Sequence, residues 1–232
     1  ASYNTGIGFE ALGANTTGYD NVAIGAGALR ANTTGHDNVA MGNFTLDANT
    51  TGNNNTAVGR VALGANTTGD YNVALGQSAL AANTTGEQNV AIGSYALPAN
   101  TTGTNVALGY KALEDNTTGT RNIAIGTEAL KNNTTADNNV AIGKDSMVAN
   151  TTGYGNTAIG KSALGANNVA TGYYNSVVGM DALTNNTTGY YNAALGRESL
   201  KYNTTGHRNT ATGAESLKLN STGAYNTASG YY

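Results

Sequence analysis

The side chains able to do chemistry in this 232-residue chain recur at a few fixed places. His36 and His207 are the only histidines, and Glu10, Asp145, Glu198 and Glu215 are carboxylates that share equivalent surroundings. A glycan-cleaving site needs two carboxyl groups held about 5–9 Å apart, one to protonate and one to attack or activate water. Glu198 and Glu215 are the pair whose spacing could approach that, yet nothing distinguishes them from the other acids of the chain. Cysteine is absent, which removes thiolate nucleophiles, thiolate metal sites and disulfides. Neither a Gly-x-Ser-x-Gly elbow nor a Gly-Gly-x-Gly-x-Asp calcium repeat occurs. Catalytic, cofactor and metal roles are therefore not expected. Recognition is. Tyrosine combines a rigid apolar ring with a polar edge and suits contact with glycan or protein. Tyr173, Tyr174, Tyr190, Tyr191 and Tyr202 crowd the C-terminal third and are the expected ligand contacts.

These residues belong to a repeat. The unit Asn-Thr-Thr-Gly-x-x-Asn-(Val/Thr)-Ala-(Ile/Leu)-Gly-x-x-Ala-Leu-x-Ala is 17 residues long, as in Asn15 to Ala31 and Asn32 to Ala48. Its seventh-position Asn runs from Asn4, Asn21 and Asn38 through to Asn226 at intervals of 17, with one of 16 and one of 19. The short interval has Thr104 in place of a variable pair, and the long one places an irregular, two-residue-longer stretch at 167–174. Both changes fall in the Asn-Thr-Thr-Gly half, so that half reads as the corner of each unit. The array covers residues 1–232 as one domain. Its pattern fades where Thr212 and Ser229 replace Ile, which points to a section of something longer.

Seventeen residues are too few for a helix pair or a propeller blade but suit one coil of a parallel β-solenoid. Val-Ala-Ile reads as a three-residue strand and Ala-Leu as the start of a second strand across the coil. Gly at the eleventh position, present in all fourteen copies from Gly8 to Gly230, supplies the positive φ of a tight corner. Stacked coils bring identical side chains about 4.8 Å apart, so the first- and seventh-position Asn residues should form amide ladders. Strand alternation places the eighth and tenth positions, together with the leucine at the fifteenth, on the inside and the ninth on the other face. That ninth residue is Ala in twelve of fourteen copies, Gly6 and Val177 being the others. So narrow a choice implies close packing against another chain, with Ala23, Ala40, Ala74, Ala91, Ala124 and Ala158 near the contact. Few interior aliphatics per coil argue for the same association, most economically around a threefold axis.

Composition closes off other classes. Charged residues make up 11%, the net charge is −3, and the chain has 32 Gly, 1 Pro and no Trp. That is neither a basic nucleic-acid footprint nor a polyacidic tail. No apolar run approaches the ~18 residues of a membrane span, and no signal peptide starts at Ala1, so membrane insertion by this segment is not expected. The Asn-Thr-Thr corners create N-glycosylation sequons such as Asn15-Thr16-Thr17 as a by-product of the corner sequence. Adjacent threonines in a corner diverge, which argues against a flat ice-binding array.

Asn-Val-Ala-Ile-Gly at Asn21 to Gly25, Asn89 to Gly93 and Asn139 to Gly143 resembles the head repeat of trimeric autotransporter adhesins. The longer form with Asn-Thr-Thr-Gly is similar to repeat arrays of bacteriophage tail fibres. The resemblance implies an all-β, left-handed parallel β-roll of about 13 coils, assembled as a homotrimer. It implies an extracellular place, on a cell surface or a virion fibre, and adhesion to a host or environmental surface glycan or protein. A purely structural spacer or fibre shaft is the alternative.

Overall fold

A computed structural model describes residues 2–165 and 171–231. The described residues contain no helix, and hence none able to cross a membrane, but fourteen three-residue strands. They divide between two compact units, residues 1–118 and 119–232. The first holds β1 (Thr5–Ile7), β2 (Val22–Ile24), β3 (Val39–Met41), β4 (Thr56–Val58), β5 (Val73–Leu75), β6 (Val90–Ile92) and β7 (Val106–Leu108). The second holds β8 (Ile123–Ile125), β9 (Val140–Ile142), β10 (Thr157–Ile159), β11 (Ser176–Val178), β12 (Ala193–Leu195), β13 (Thr210–Thr212) and β14 (Thr227–Ser229). Within each unit successive strands pair in parallel, as a solenoid with a repeat of about 17 residues requires.

Register survives both irregular intervals. Val90 pairs with Val106 across the 16-residue coil, and Thr157 with Ser176 across the 19-residue one. The corner absorbs the length change and the strand does not. Of the irregular stretch, residues 167–170 lie outside the described residues.

Two amide ladders hold the coils together. Asn38 Nδ2 donates to Asn21 Oδ1 at 3.1 Å and to the Gly52 carbonyl at 2.8 Å. Its own Oδ1 accepts from both the backbone N–H and Nδ2 of Asn55. The first-position column repeats the arrangement, with Asn49 Nδ2 on Asn32 Oδ1 and on the Gly52 carbonyl, both at 2.9 Å. These amides are fully buried, and each replaces by protein partners the water it lost. Glycine follows at the fourth position in every described coil but that of Ala136, and a Cβ at Gly52 would stand 2.6 Å from the Gly69 carbonyl and inside contact distance of Asn49 Oδ1.

The eleventh-position glycines have φ between 120° and 145°, as expected for the corner after the strand. In most coils three further residues take left-handed backbone without being glycine: the sixth, the thirteenth and the buried fifteenth, as at Asp37 (φ 56), Phe44 (φ 55) and Leu46 (φ 50). This overturns the expected second strand. Left-handed residues at the thirteenth and fifteenth positions curl Ala-Leu into turns, such as Ala28 N–H to the Gly25 carbonyl and Asn32 N–H to the Leu29 carbonyl. Bonds between coils continue through this arch without a ladder, for example Leu29 N–H to the Thr45 carbonyl at 3.0 Å.

The strand faces are also opposite to expectation. Ala23, Ala40, Ala57, Ala74, Ala91, Ala124 and Ala158 at the ninth position are 0% exposed and form the core with the Ala-Leu pair, such as Ala28 and Leu29. The eighth and tenth positions point outward: Ile123 at the eighth is 37% and Leu195 at the tenth 52% exposed. The reason is room. A Cβ at Gly6 would lie 3.6 Å from Leu12 Cδ1 and 3.9 Å from the Ala11 Cβ of its own coil, so a methyl already fills the space between strand and arch. The Ala column is packed against its own coil and cannot also be a surface for another chain.

Candidate functional site

The variable fifth and sixth positions follow the Asn-Thr-Thr-Gly corner and carry side chains away from the amide ladders. Axial stacking sets equivalent residues of neighbouring coils about 4.8 Å apart, close to the separation of stacked aromatic rings. In residues 119–232 the fifth position forms a column of Tyr154, Tyr173, Tyr190 and His207. Successive rings are near parallel, with centroids 5.3, 5.0 and 4.7 Å apart. Tyr174, Tyr191, Arg208 and Tyr225 form the adjoining sixth-position column. Tyr174 stacks on Tyr191 at 5.3 Å, and edge contacts join the columns, as between Tyr173 and Tyr174 at 5.8 Å.

Gly155 makes room for this arrangement. It has φ 66°, and a Cβ there would stand 2.6 Å from Tyr174 Cδ1 and Cε1. Arg208 sits toward the other end, between Tyr191 and Tyr225. Its guanidinium lies 5.4 to 5.7 Å from the ring centres of Tyr190, Tyr191 and Tyr225, and Nη1 donates to Tyr225 Oη at 2.6 Å. Burial pushes the Tyr173 phenol up from its usual range, helped by the neighbouring phenols Tyr190, Tyr154 and Tyr191 and opposed by Arg208. That phenol is neutral at physiological pH and able to donate.

Four of the five expected contacts therefore meet. Tyr202 does not join them: it occupies the last position of its unit and lines a different hollow with Glu215, Lys218 and Asn226. The expected contacts do not include Tyr154, His207, Arg208 and Tyr225, although their places at the fifth and sixth positions of the repeat mark the same two columns. The rings also cover one another's faces, so what faces solvent is mainly edges and hydroxyls. A shorter stack, Tyr19 on His36 at 4.7 Å, occupies the same position in residues 1–118.

Elsewhere the chemistry is structural. Lys218 bridges Glu198 (2.6 Å) and Glu215 (2.9 Å), while Arg197 reaches Glu215 at 2.8 Å. The Lys218 hydrogen bonds hold both carboxyls below the usual range, so neither is a proton donor near neutrality. Among the described residues no three His, Cys, Asp or Glu side chains are grouped to hold a metal. In the inner coils the nitrogen of the Asn-Thr-Thr sequon is internal: Asn32 Nδ2 is spent on Asn15 Oδ1 and the Gly35 carbonyl. A folded coil cannot offer it to a glycosyl donor. No family model matches this chain, and no curated protein or solved structure matches it either.

Proposed function

We propose that the chain is a segment of an extracellular fibre, wound left-handed, that assembles as a homotrimer and acts in adhesion at a cell surface or on a virion. The observation that carries the assembly is the outward strand face of residues 1–118. Val22, Val39, Val73, Val90 and Val106 stand in one column, which Thr5 and Thr56 share, and Ile7, Ile24, Met41, Val58, Leu75, Ile92 and Leu108 form an unbroken aliphatic column in the next. No charge interrupts either column. Contiguous aliphatic surface of this kind marks an interaction site. Its axial repeat of about 4.8 Å is matched by another copy of the same array lying parallel to it. A closed ring of copies about an axis along the coils covers this face in each of them. The contact is thus assigned to the eighth and tenth positions and no longer to the alanines.

Adhesion is supported by the distribution of variation: buried positions repeat from coil to coil, while the corner of residues 154–225 gathers tyrosines, His207 and Arg208. Sedimentation equilibrium of the purified chain should report three copies. Labelled chain should bind intact cells or surface glycans, and replacing Tyr173, Tyr174, Tyr190 and Tyr191 by Ser should abolish that binding while the mass stays trimeric. A monomer at micromolar concentration overturns the assembly. A trimer that binds no surface overturns adhesion and leaves the spacer reading.

A further inference from the structure

The aromatic corner of residues 154–225 has a shape and a charge that narrow its ligand further than adhesion alone does. Its rings are stacked on one another, so sugar rings cannot lie flat on the inner ones. Instead the phenol edges of Tyr154, Tyr173 and Tyr190 repeat along the solenoid at 5.0 to 5.3 Å between ring centres. That interval is close to the length of one pyranose ring in an extended polysaccharide. A linear glycan running along the coils would meet one phenol per sugar, with the exposed hydroxyls of Thr152, Thr188 and Thr205 in the adjacent corner column.

Charge selects among such glycans. Among the described residues Arg208 has cation–π neighbours and a phenol but no carboxylate partner, whereas Arg197 of the preceding coil is paired with Glu215. The acid nearest in the column is Asp137, and its Oδ1 is engaged by the backbone N–H and hydroxyl of Thr120, in the coil before it. A guanidinium backed by rings keeps its free N–H groups for an outside acceptor, and carboxylate or sulfate fits that fork.

A separate observation concerns the strand face beside this corner. Its eighth-position column, aliphatic at Ile123 and Val140, becomes Ser176, Ala193, Thr210 and Thr227 in the coils that carry Tyr173 to Tyr225. The tenth-position column stays aliphatic and exposed at Ile159, Val178 and Leu195 and turns polar at Thr212 and Ser229, so the small, polar shelf lies beside the coils of His207, Arg208 and Tyr225.

We infer that this corner is a subsite for a linear acidic polysaccharide, lying along the coils with a carboxylate or sulfate on Arg208 and sugar hydroxyls on the phenol edges. This rests on the adhesive reading above and specifies its ligand.

The test uses the whole chain and a fluorescent oligomannuronate, its carboxyl-reduced counterpart, and a sulfated linear glycan as the second acidic probe. Binding of at least one acidic probe, with the reduced one at least about tenfold weaker, is expected from loss of a charge-assisted hydrogen bond. Arg208→Gln should bring the acidic probe down to the level of the reduced one, and Tyr190→Phe, which keeps the stack, should weaken both. Tyr19→Ser, at the same position in residues 1–118, should change nothing. Thermal melting of each variant checks that the coils remain folded. Equal affinity for acidic and reduced probes, or an Arg208→Gln variant that binds as tightly as the parent, overturns the inference. Cell binding that persists while no glycan probe binds also overturns it, yet leaves adhesion standing.

Discussion

A single buried asparagine in this solenoid links coils in the way that a ladder of backbone bonds does in a longer strand. Asn38 makes four hydrogen bonds through one side chain, two as donor and two as acceptor. Asn38→Ala would leave the Asn55 N–H without its acceptor and the Gly52 carbonyl without this donor. Leaving a buried group unpaired costs about 1–3 kcal/mol, so urea unfolding should show a loss of at least about 2 kcal/mol. The opposite sign is expected at Val61. This β-branched residue is held at φ 60°, a conformation it adopts at a cost of roughly 1–2 kcal/mol. Asn tolerates left-handed backbone, as Asn54 and Asn138 do here at the sixth position. Val61→Asn should therefore raise the unfolding free energy by about 1 kcal/mol, measurable in the same titration.

At the scale of the element, neighbouring coils are joined by groups outside the core as well as by the strands. Lys218 lies between Glu198 and Glu215, and their hydrogen bonds and charges raise its pKa while lowering those of the two carboxyls. The carboxyls contribute stability that is present above the ordinary glutamate value near 4.3 and is lost as pH falls through their lower folded values. Lys218 contributes stability that is present below the ordinary lysine value near 10.4 and is lost as pH rises through its higher folded value. Lys218→Met should accordingly lower the melting temperature between about pH 5 and 10 and change it least at pH 2, where both carboxyls are protonated. Stacked rings join coils in the same way. Each aromatic pair adds roughly 0.5–1.5 kcal/mol beyond its buried area, so replacing Tyr173, Tyr174, Tyr190 and Tyr191 by Ser should lower thermal stability as well as remove a surface. Calorimetry of that variant, with the fold intact by circular dichroism, separates the two effects.

For the molecule as a whole, which face of the strand is inside decides which substitutions unfold it and which only separate its copies. Ala124 is 0% exposed, whereas Ile125 beside it is 36% exposed. Ala124→Leu would add three carbons where a methyl already fills the space between strand and arch, and overpacking of this kind costs about 1–3 kcal/mol. Leu75→Asp together with Ile92→Asp places carboxylates on the outward face of residues 1–118, where both side chains are exposed and water hydrates the carboxylates in a single chain. The pair should leave the circular dichroism of a β-solenoid unchanged while lowering the sedimenting mass to that of one copy. Unfolding of the Asp pair with tolerance of Ala124→Leu would contradict the orientation described above.

Much of the fold is legible in the residues themselves. The 17-residue period, the strand at Val-Ala-Ile, the glycine after it and the Asn ladders all follow from repetition, because stacking brings like side chains together whatever the path of the coil. The two tyrosine columns follow from the same repetition, once Tyr173 and Tyr174 are placed at the fifth and sixth positions. What repetition does not carry is the phase of a three-residue strand whose members are all apolar. Val-Ala-Ile alternates in size, and shifting the alternation by one residue exchanges the faces completely. Only tertiary packing resolves it. The left-handed residues at Leu12, Leu29 and their equivalents fold the Ala-Leu arch back against the strand, and the narrow gap that remains is filled by a methyl at Ala23, or in one coil by Val177, while Val22 and Ile24 face outward.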